Sequence, residues 1–279
     1  FLAKKLYGLP LIVTVHSLEP LRPWKEDQLG RGYAFTKWVE ELGIIEADGV
    51  IAVSGEMKRD ILKFYNVPEE KIRVIYNGVD TDEYRRRPGR STLEKYGIRG
   101  DYVLFVGRLT RQKGIEHLLD ASSRFPGNIQ VVLCASNPDT KEFEREIAEN
   151  VRARENVIWI NEMLPRKELI ELYSNAKVFV CPSIYEPFGI INLEAMACEV
   201  PVVASAVGGI TEVVVPGVTG LLVEPGNPEA IAVAVNQILN DSQLAVRLGQ
   251  NGRRRVVEKF SWGAIARETL EFYEEILRL

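Results

Sequence analysis

Short apolar runs alternate with amphipathic segments along almost the whole chain. The short runs are rich in β-branched residues, which predicts buried strands, and apolar residues at three- or four-residue spacing predict helices. The predicted strands comprise residues 11–15, 49–53, 72–76, 102–106, 129–135, 157–160, 178–181, 201–205 and 220–223. The predicted helices comprise residues 33–47, 56–65, 113–125, 140–154, 167–175, 188–196, 211–215, 227–239, 242–260 and 262–279. Such alternation is typical of α/β folds with doubly wound, mostly parallel sheets.

Residues 81–100 interrupt this alternation. They are charged, contain Pro and Gly, and lack apolar periodicity, which predicts a boundary between two domains. Residues 1–84 hold three of the predicted strands, and residues 85–260 hold six, as in a complete Rossmann-like domain. Because a domain usually has about 100–150 residues, the first of the two segments is short for a complete domain. The arginines at 85–87 fit either a solvated linker or a phosphate-binding segment.

The composition narrows the classes of partner. The formal net charge is −4 and the sequence pI is about 5.5, so nucleic acid and anionic membranes are not expected as partners. No apolar run reaches the roughly 18 residues that a membrane span needs. Cys134, Cys181 and Cys198 lie in apolar segments without Cys-x-x-Cys spacing. They are predicted to be buried free thiols in a reducing compartment, which predicts a cytoplasmic protein.

The first chemical motif follows the predicted strand 178–181. Pro187 disfavours helical geometry at Glu186, which predicts that Glu186 lies in a loop. Pro187 itself suits the first position of a helix, and the amides of residues 188–190 are then predicted to be free of intrahelical partners. A strand, a short loop and the free amides of a helix N-terminus together predict an anion site.

Glu186 and Glu194 flank this site. Two helical residues at this spacing would lie about 12 Å apart along the axis, at ~1.5 Å per residue. A glycosidase pair needs carboxyl groups roughly 5–10 Å apart across one bond, so separate roles at two ends of an elongated ligand are favoured. The alternative is a loop carboxylate at Glu186 and a solvated helix face at Glu194.

The second chemical motif is the segment 107–114, Gly-Arg-Leu-Thr-Arg-Gln-Lys-Gly. It follows a strand but matches neither the dinucleotide fingerprint nor a Walker P-loop. Arg108 and Lys113 are therefore candidate phosphate ligands, with Arg111 as an accessory, and the alternative is a solvated basic loop. The chain has no His/Cys cluster, so no metal site is predicted.

His16 directly follows the first predicted strand. Ligands of open α/β sheets bind beyond the carboxyl ends of strands, which makes His16 a candidate site residue. The alternative is a loop histidine that is bonded to the backbone.

The Glu-x7-Glu motif with Pro-Phe-Gly inside it resembles the signature of retaining nucleotide-sugar glycosyltransferases of the glycogen synthase type. The resemblance implies that Glu186 lies beside the donor sugar and that the amides of Gly189 and Ile190 bind the diphosphate. It also implies that Glu194 binds the ribose, a role that suits a carboxylate because it accepts hydrogen bonds from vicinal hydroxyls.

The resemblance extends to the other motifs. The Gly-Arg and Lys-Gly sequences around Arg108 and Lys113 are similar to the family's diphosphate-neutralising segment. His16 is expected to contact the donor sugar rather than the nucleotide. The sequence Val-Gly-Gly-Ile at 207–210 fits either the family's nucleotide and acceptor region or a structural turn.

The resemblance implies a GT-B architecture, in which two Rossmann-like domains face a cleft and the segment 261–279 returns to the first, incomplete domain. The stretch 16–24 most resembles bacterial glycogen synthase or maltose-1-phosphate synthase. The implied activity is transfer of a hexosyl, in particular glucosyl, unit from ADP-glucose or a UDP-sugar to an α-glucan or small sugar acceptor. No cofactor or metal is expected.

Other activities stay open at this point. One is a non-catalytic nucleotide-sugar-binding fragment, which the incomplete first domain would favour. Others are a GT-B mannosyltransferase, an epimerase, or a phosphorylase, which would carry pyridoxal phosphate on a lysine.

Overall fold

The computed structural model describes residues 1–23, 25–87 and 89–278. Trp24 of the stretch 16–24, Pro88 of the predicted linker and Leu279 of the last predicted helix lie outside the described residues. The chain divides into two compact units, one formed by residues 1–77 with 263–279 and the other by residues 78–262.

The first unit is built on a parallel sheet. Its described strands are β1 (Ile12–Val15), β2 (Gly49–Ala52) and β3 (Ile72–Val74), in the order β1-β2-β3. Its helices are α1 (Leu2–Tyr7), α2 (Lys25–Leu29), α3 (Gly32–Glu46), α4 (Gly55–Phe64) and most of the C-terminal helix, Trp262–Arg278. The C-terminal helix packs on the sheet because Gly49 has no side chain: a Cβ there would lie 2.7 Å from the Phe272 ring.

The second unit is built on a larger parallel sheet. Its described strands are β4 (Tyr102–Arg108), β5 (Gln130–Ser136), β6 (Val157–Ile160), β7 (Val178–Cys181), β8 (Val202–Ser205) and β9 (Gly220–Val223). Their order is β6-β5-β4-β7-β8-β9, so the chain winds outward from β4 in one direction and then returns to its other side. The reversal places a topological switch point between β4 and β7.

Helices connect the strands of this sheet. They are α5 (Ser91–Lys95), α6 (Ile115–Ser122), α7 (Lys141–Arg152), α8 (Arg166–Asn175), α9 (Ile190–Ala197), α10 (Ile210–Val213), α11 (Pro228–Asn240) and α12 (Ser242–Lys259), and the C-terminal helix is α13. The core lies between sheet and helices, and the strand residues Val103, Val131, Val178 and Val203 are fully buried in it. None of the helices that the structure describes has the length and apolar character of a membrane-spanning segment.

The three cysteines are buried and free, as predicted. Burial raises the pKa of the Cys134 and Cys198 thiols to about 12. These thiols therefore behave as small apolar side chains of the core.

The compact units have boundaries of their own. The compact units divide between Asn77 and Gly78, whereas the sequence placed the domain boundary after residue 84. Residues 78–84 belong with the second unit, where Arg253 on α12 donates to the carbonyls of Thr81 and Tyr84, each at 2.9 Å. The residues from Gly263 onward belong to the first unit.

The predicted helix at 188–196 begins later than expected. Helix α9 starts at Ile190, because Gly189 has φ +89°, a left-handed conformation that no α-helix contains. Pro187 therefore lies before the helix and not at its first position. Similarly, Gly114 with φ +63° separates a single 3₁₀ turn, Arg111–Lys113, from α6.

Candidate functional site

Two loops meet at the switch point of the second unit. One follows β4, which ends at Arg108, and the other follows β7, which ends at Cys181 and is the neighbour of β4 in the sheet. Of the predicted site residues, Arg108 ends β4, Lys113 belongs to the loop after it, and Glu186 and Gly189 belong to the second loop. The fold thus brings them to the edge of the sheet where α/β proteins bind ligands.

Backbone contacts fasten these two loops to each other. The amide of Ile184 donates to the carbonyl of Gln112 at 2.8 Å. Gly114 lies against the other loop so closely that a Cβ on it would be 2.1 Å from the carbonyl oxygen of Pro182. Any residue other than glycine at 114 would separate the loops, so this glycine is needed for the close approach as well as for its positive φ.

Lys113 and Glu186 form an ion pair across the two loops. The distance from Nζ to Oε2 is 2.5 Å, and the side chains are only 13% and 9% exposed. The Ser183 hydroxyl donates to the same carboxylate oxygen at 3.4 Å. Charged groups that are this enclosed are retained only with a partner, so the lysine and the glutamate act as one unit.

Arg108 and Arg111 have different surroundings. Arg108 is exposed and has no ion-pair partner among the described residues. Arg111 is paired with Glu116 at 3.2 Å and Glu146 at 2.6 Å, and its guanidinium lies 4.6 Å from the centroid of the Phe143 ring. The geometry therefore leaves Arg108 accessible to an anion and engages Arg111 in contacts within the protein.

Gly189 caps the N-terminus of α9. A Cβ at this position would lie 2.6 Å from the Asn192 side-chain nitrogen and 3.3 Å from Cγ of Glu186. The amides of Ile190 and Ile191 form the first turn, where a helix has no internal acceptor for them. The backbone amide of Asn192 already donates to the Gly189 carbonyl at 2.9 Å, so it is not available to an anion.

The turn at 207–210 supports the second loop. The amide of Gly209 donates to the carbonyl of Glu186 at 3.1 Å. A Cβ on Gly208, which has φ +53°, would lie 2.0 Å from that carbonyl oxygen, and one on Gly209 would lie 2.4 Å from the carbonyl of Pro187. These contacts support the structural interpretation of the two glycines.

Glu194 lies on α9 and is partly buried, so it is not a solvated carboxylate on an open helix face. Its carboxylate accepts hydrogen bonds from the hydroxyls of Tyr173, at 3.0 Å, and Tyr84. Burial raises the pKa of Glu194, while the two hydroxyls and the charge of Arg166 oppose that rise. A buried carboxylate with phenolic donors keeps acceptor capacity for further hydroxyl groups.

A cavity of about 300 Å³ opens beside Arg108 and Lys113. It is lined by the carboxyl ends of β4 and β5, the segment after β6 and the start of α9, namely Val106, Gly107, Arg108, Lys113, Cys134, Ser136, Asn137, Glu162, Met163, Leu164, Leu169 and Ile191. Asn137 has φ +55°. Asn137 and Met163 were not among the predicted site residues, although both follow predicted strands on the side where ligands bind.

The cavity beside Arg108 is not the largest in the second unit. A cavity of about 430 Å³ lies at the opposite edge of the sheet and is lined by Asp101, Lys177 and Pro201 among others. Size therefore does not single out the site, whereas the switch point and the converging charged groups do.

His16 is exposed and directly follows β1 in the first unit. The loop after it is anchored on α3, because the Glu19 amide donates to Glu40 at 2.9 Å and Lys25 donates to Glu19 at 2.5 Å. The contact of His16 with a donor sugar stays a prediction.

No group of three or more His, Cys, Asp or Glu side chains that could hold a metal lies within the described ranges. The expected independence of metals and cofactors also stays a prediction.

Comparison with known proteins gives matches along the whole chain. A family profile described as "Glycosyl transferases group 1" matches residues 93–255, and one described as "Glycosyltransferase Family 4" matches residues 1–83. The chain is 48% identical to alpha-maltose-1-phosphate synthase of Mycolicibacterium smegmatis over 291 residues, covering 99% of this chain and 75% of the relative.

Solved structures show the same fold. Sucrose-phosphate synthase from Thermosynechococcus elongatus has a TM-score of 0.85 at 31% identity, covering 99% of this chain and 70% of that one. HepE from Anabaena, solved with UDP-glucose, has a TM-score of 0.83 at 22% identity, covering 100% and 75%. The chain therefore belongs to the glycosyl transferases group 1 family and is a glycosyltransferase of the GT-B fold.

Proposed function

We propose that the chain transfers a glucosyl unit from ADP-glucose, with retention of configuration, to an α-glucan or a small sugar acceptor. The observation that carries the proposal is the enclosed Lys113–Glu186 pair, which lies beside the N-terminus of α9 at the switch point. An ammonium ion and helix amides suit a diphosphate, and a carboxylate suits sugar hydroxyls. The two ligand parts of a nucleotide sugar are thus matched by adjacent protein groups.

In this proposal, cleavage of the sugar–diphosphate bond is assisted electrostatically. The bond between the anomeric carbon and the diphosphate oxygen breaks, and negative charge develops on that oxygen. Arg108, Lys113 and the first amides of α9 stabilise this charge because they are fixed before reaction. The acceptor hydroxyl forms the new bond on the face that the diphosphate leaves, and its proton passes to the diphosphate oxygen.

The remaining contacts are assigned on the same basis. Glu194 accepts hydrogen bonds from the ribose hydroxyls, and the base enters the cavity lined by Asn137 and Met163. His16 contacts the sugar from the first unit. A cytoplasmic location, supported by the three free buried thiols, is also part of the proposal.

The small acceptor that we propose is glucose 1-phosphate. The relative at 48% identity is named for maltose 1-phosphate, which forms when one glucosyl unit is added to glucose 1-phosphate. The α-glucan is the second candidate acceptor, because the sequence stretch 16–24 resembles glycogen synthases equally.

The decisive experiment incubates the chain with ADP-glucose and either glucose 1-phosphate or a maltooligosaccharide, with and without EDTA. We expect ADP release that requires the acceptor, a product whose new linkage is α by NMR, and no effect of EDTA. Release of ADP without a transfer product would indicate an epimerase or hydrolase. ADP binding by calorimetry without any turnover would indicate a binding module.

A further inference from the structure

Two buried tyrosines donate hydrogen bonds to the carboxylate of Glu194. Tyr173 is fully buried on α8, and its ring packs edge-on against Phe179 of β7 with centroids 5.5 Å apart. Its hydroxyl donates to Glu194 Oε2 at 3.0 Å. The ring is therefore held by packing, and its hydroxyl has a defined position before any ligand binds.

Tyr84 reaches the same carboxylate from a different part of the chain. It lies in the turn after β3, where Asp80 accepts hydrogen bonds from the amides of Asp82, at 3.0 Å, and Glu83, at 2.9 Å. The Tyr84 backbone is fixed on both sides, since its amide donates to the Asp80 carbonyl at 2.8 Å and its carbonyl accepts from Arg253 at 2.9 Å. The side chain is 7% exposed and donates to Glu194.

Two fixed hydroxyls have a definite effect on a flexible carboxylate. A glutamate side chain loses rotamer freedom when it binds a ligand, and this loss weakens binding unless the side chain is ordered beforehand. An ionised carboxylate has about four acceptor positions, so two remain after the tyrosines have bound. Two remaining acceptor positions equal the number of hydroxyls in the vicinal pair of a ribose.

We propose that Tyr84 and Tyr173 are positioning residues that hold Glu194 as an oriented double acceptor for the 2′- and 3′-hydroxyls of the donor's ribose. This inference rests on the proposed function, because it requires that a nucleoside diphosphate binds in the second unit. It extends the site to two residues that touch neither the phosphates nor the sugar.

The test uses ligands that lack the hydroxyls in question. Calorimetry on the full chain compares ADP with 2′,3′-dideoxy-ADP for the wild type, Tyr84→Phe and Tyr173→Phe. Each variant should bind ADP about five- to tenfold more weakly, the effect of roughly 1 kcal/mol of lost interaction, and bind dideoxy-ADP as the wild type does. An equal loss with both ligands would mean that the tyrosines only support the fold.

Tyr102→Phe is the matched control. Tyr102 is fully buried in the same unit, and its hydroxyl donates to the Leu172 carbonyl at 2.6 Å rather than to a carboxylate. The control removes the same atom and should leave both affinities unchanged. If it reduces the ADP affinity selectively, the proposal is wrong.

A second set of variants tests whether the tyrosines act through Glu194. In a Glu194→Gln background, Tyr84→Phe should change the ADP affinity by less than twofold, because its target is already altered. Persistence of the full effect would contradict the proposal. A wild type that binds no ADP at millimolar concentration would overturn the proposed function and this inference together, whereas normal ADP binding by both tyrosine variants would overturn this inference alone.

Discussion

Glu186 and Glu194 lie on the same stretch of chain, yet the structure treats their carboxylates differently. Glu186 is enclosed with an ammonium ion, Lys113, at 2.5 Å. Glu194 is enclosed with the neutral hydroxyls of Tyr84 and Tyr173. The cation compensates the charge of Glu186, whereas burial without a close cation raises the pKa of Glu194.

The comparison shows how one short stretch of chain, from Glu186 to Glu194, can present different groups to the two ends of a ligand. The end with the cation and the first-turn amides is electropositive and suits a diphosphate with its attached sugar. The other end presents Glu194, which accepts from two tyrosine hydroxyls and suits hydroxyl groups of a ligand. The experiments that follow are designed to break or sharpen this division.

The largest effect is expected for Lys113→Ala. The substitution leaves the Glu186 carboxylate enclosed without its partner, and removal of one member of a buried pair costs about 3–5 kcal/mol of unfolding free energy. It also removes a charge that stabilises the leaving diphosphate, so turnover should fall about 10²- to 10³-fold. Thermal unfolding and steady-state rates measure the two losses.

Lys177→Ala is the control for charge removal. Lys177 pairs with Asp101 at 3.4 Å, and both side chains are about half exposed, so the loss should be at most about 1 kcal/mol with unchanged turnover. If Lys113→Ala were no more harmful than Lys177→Ala, the enclosed pair would have no special role.

The second-largest effects on binding and turnover are expected when each glutamate is replaced by the isosteric, neutral glutamine. Glu194→Gln should weaken ADP binding by about 1.5–3 kcal/mol, because a charged acceptor is lost at the ribose. Glu186→Gln should instead reduce turnover with ADP-glucose and leave ADP affinity within a factor of about three, since ADP lacks the sugar that we propose Glu186 to contact. Calorimetry and initial rates on both variants separate the roles. Two variants that changed only affinity would show that the division is wrong.

A smaller effect is expected at the exposed arginine. Arg108→Ala should weaken ADP binding by about 1.5 kcal/mol, which is the lower end of the range for a charge-assisted hydrogen bond. The binding of adenosine, which has no phosphate, should be unchanged. Arg111→Ala is matched to it in chemistry and loop, and should leave both affinities unchanged because its guanidinium is engaged by Glu116 and Glu146. A similar loss of ADP affinity in both variants would mean that only the overall charge matters.

The smallest effect concerns pH. The pKa of Glu194 in the folded protein is raised above its ordinary 4.5, so the folded chain binds the proton more tightly than the unfolded chain. The stability that Glu194 contributes is therefore present at low pH and is lost as the pH rises from the unfolded to the folded pKa. The ribose contact has the opposite dependence, because it needs the ionised form.

The preference of the protein for ADP over dideoxy-ADP, expressed as the ratio of the two affinities, should consequently fall as the pH is lowered. Because the pKa of Glu194 is raised, the fall should begin at a higher pH than an ordinary glutamate would give. In Glu194→Gln the ratio should not depend on pH. Calorimetry over a pH series measures it, and a pH-dependent ratio that survives the substitution would assign the titration to another group.

Much of the fold was predictable because its signals are local. Apolar runs and helical spacing depend on neighbouring residues, so the strands of the second unit were placed to within a few residues, and 157–160, 178–181 and 220–223 agree with β6, β7 and β9. The burial of the three cysteines followed from the same apolar segments. The local character of the signals also explains the error at α9, since the left-handed Gly189, φ +89°, packs against Asn192 and Ile210, which the local pattern does not reveal.

The sequence by itself determined which residues could carry the chemistry: two glutamates on one stretch, an arginine and a lysine after a strand, and glycines beside them. Only the tertiary structure decided their partners. Lys113 meets Glu186 because β4 and β7 are neighbours in the sheet, although 73 residues separate them in the chain. Tyr84 and Tyr173 meet Glu194 for a similar reason, because burial forces each polar group to find whichever donor the packing places beside it.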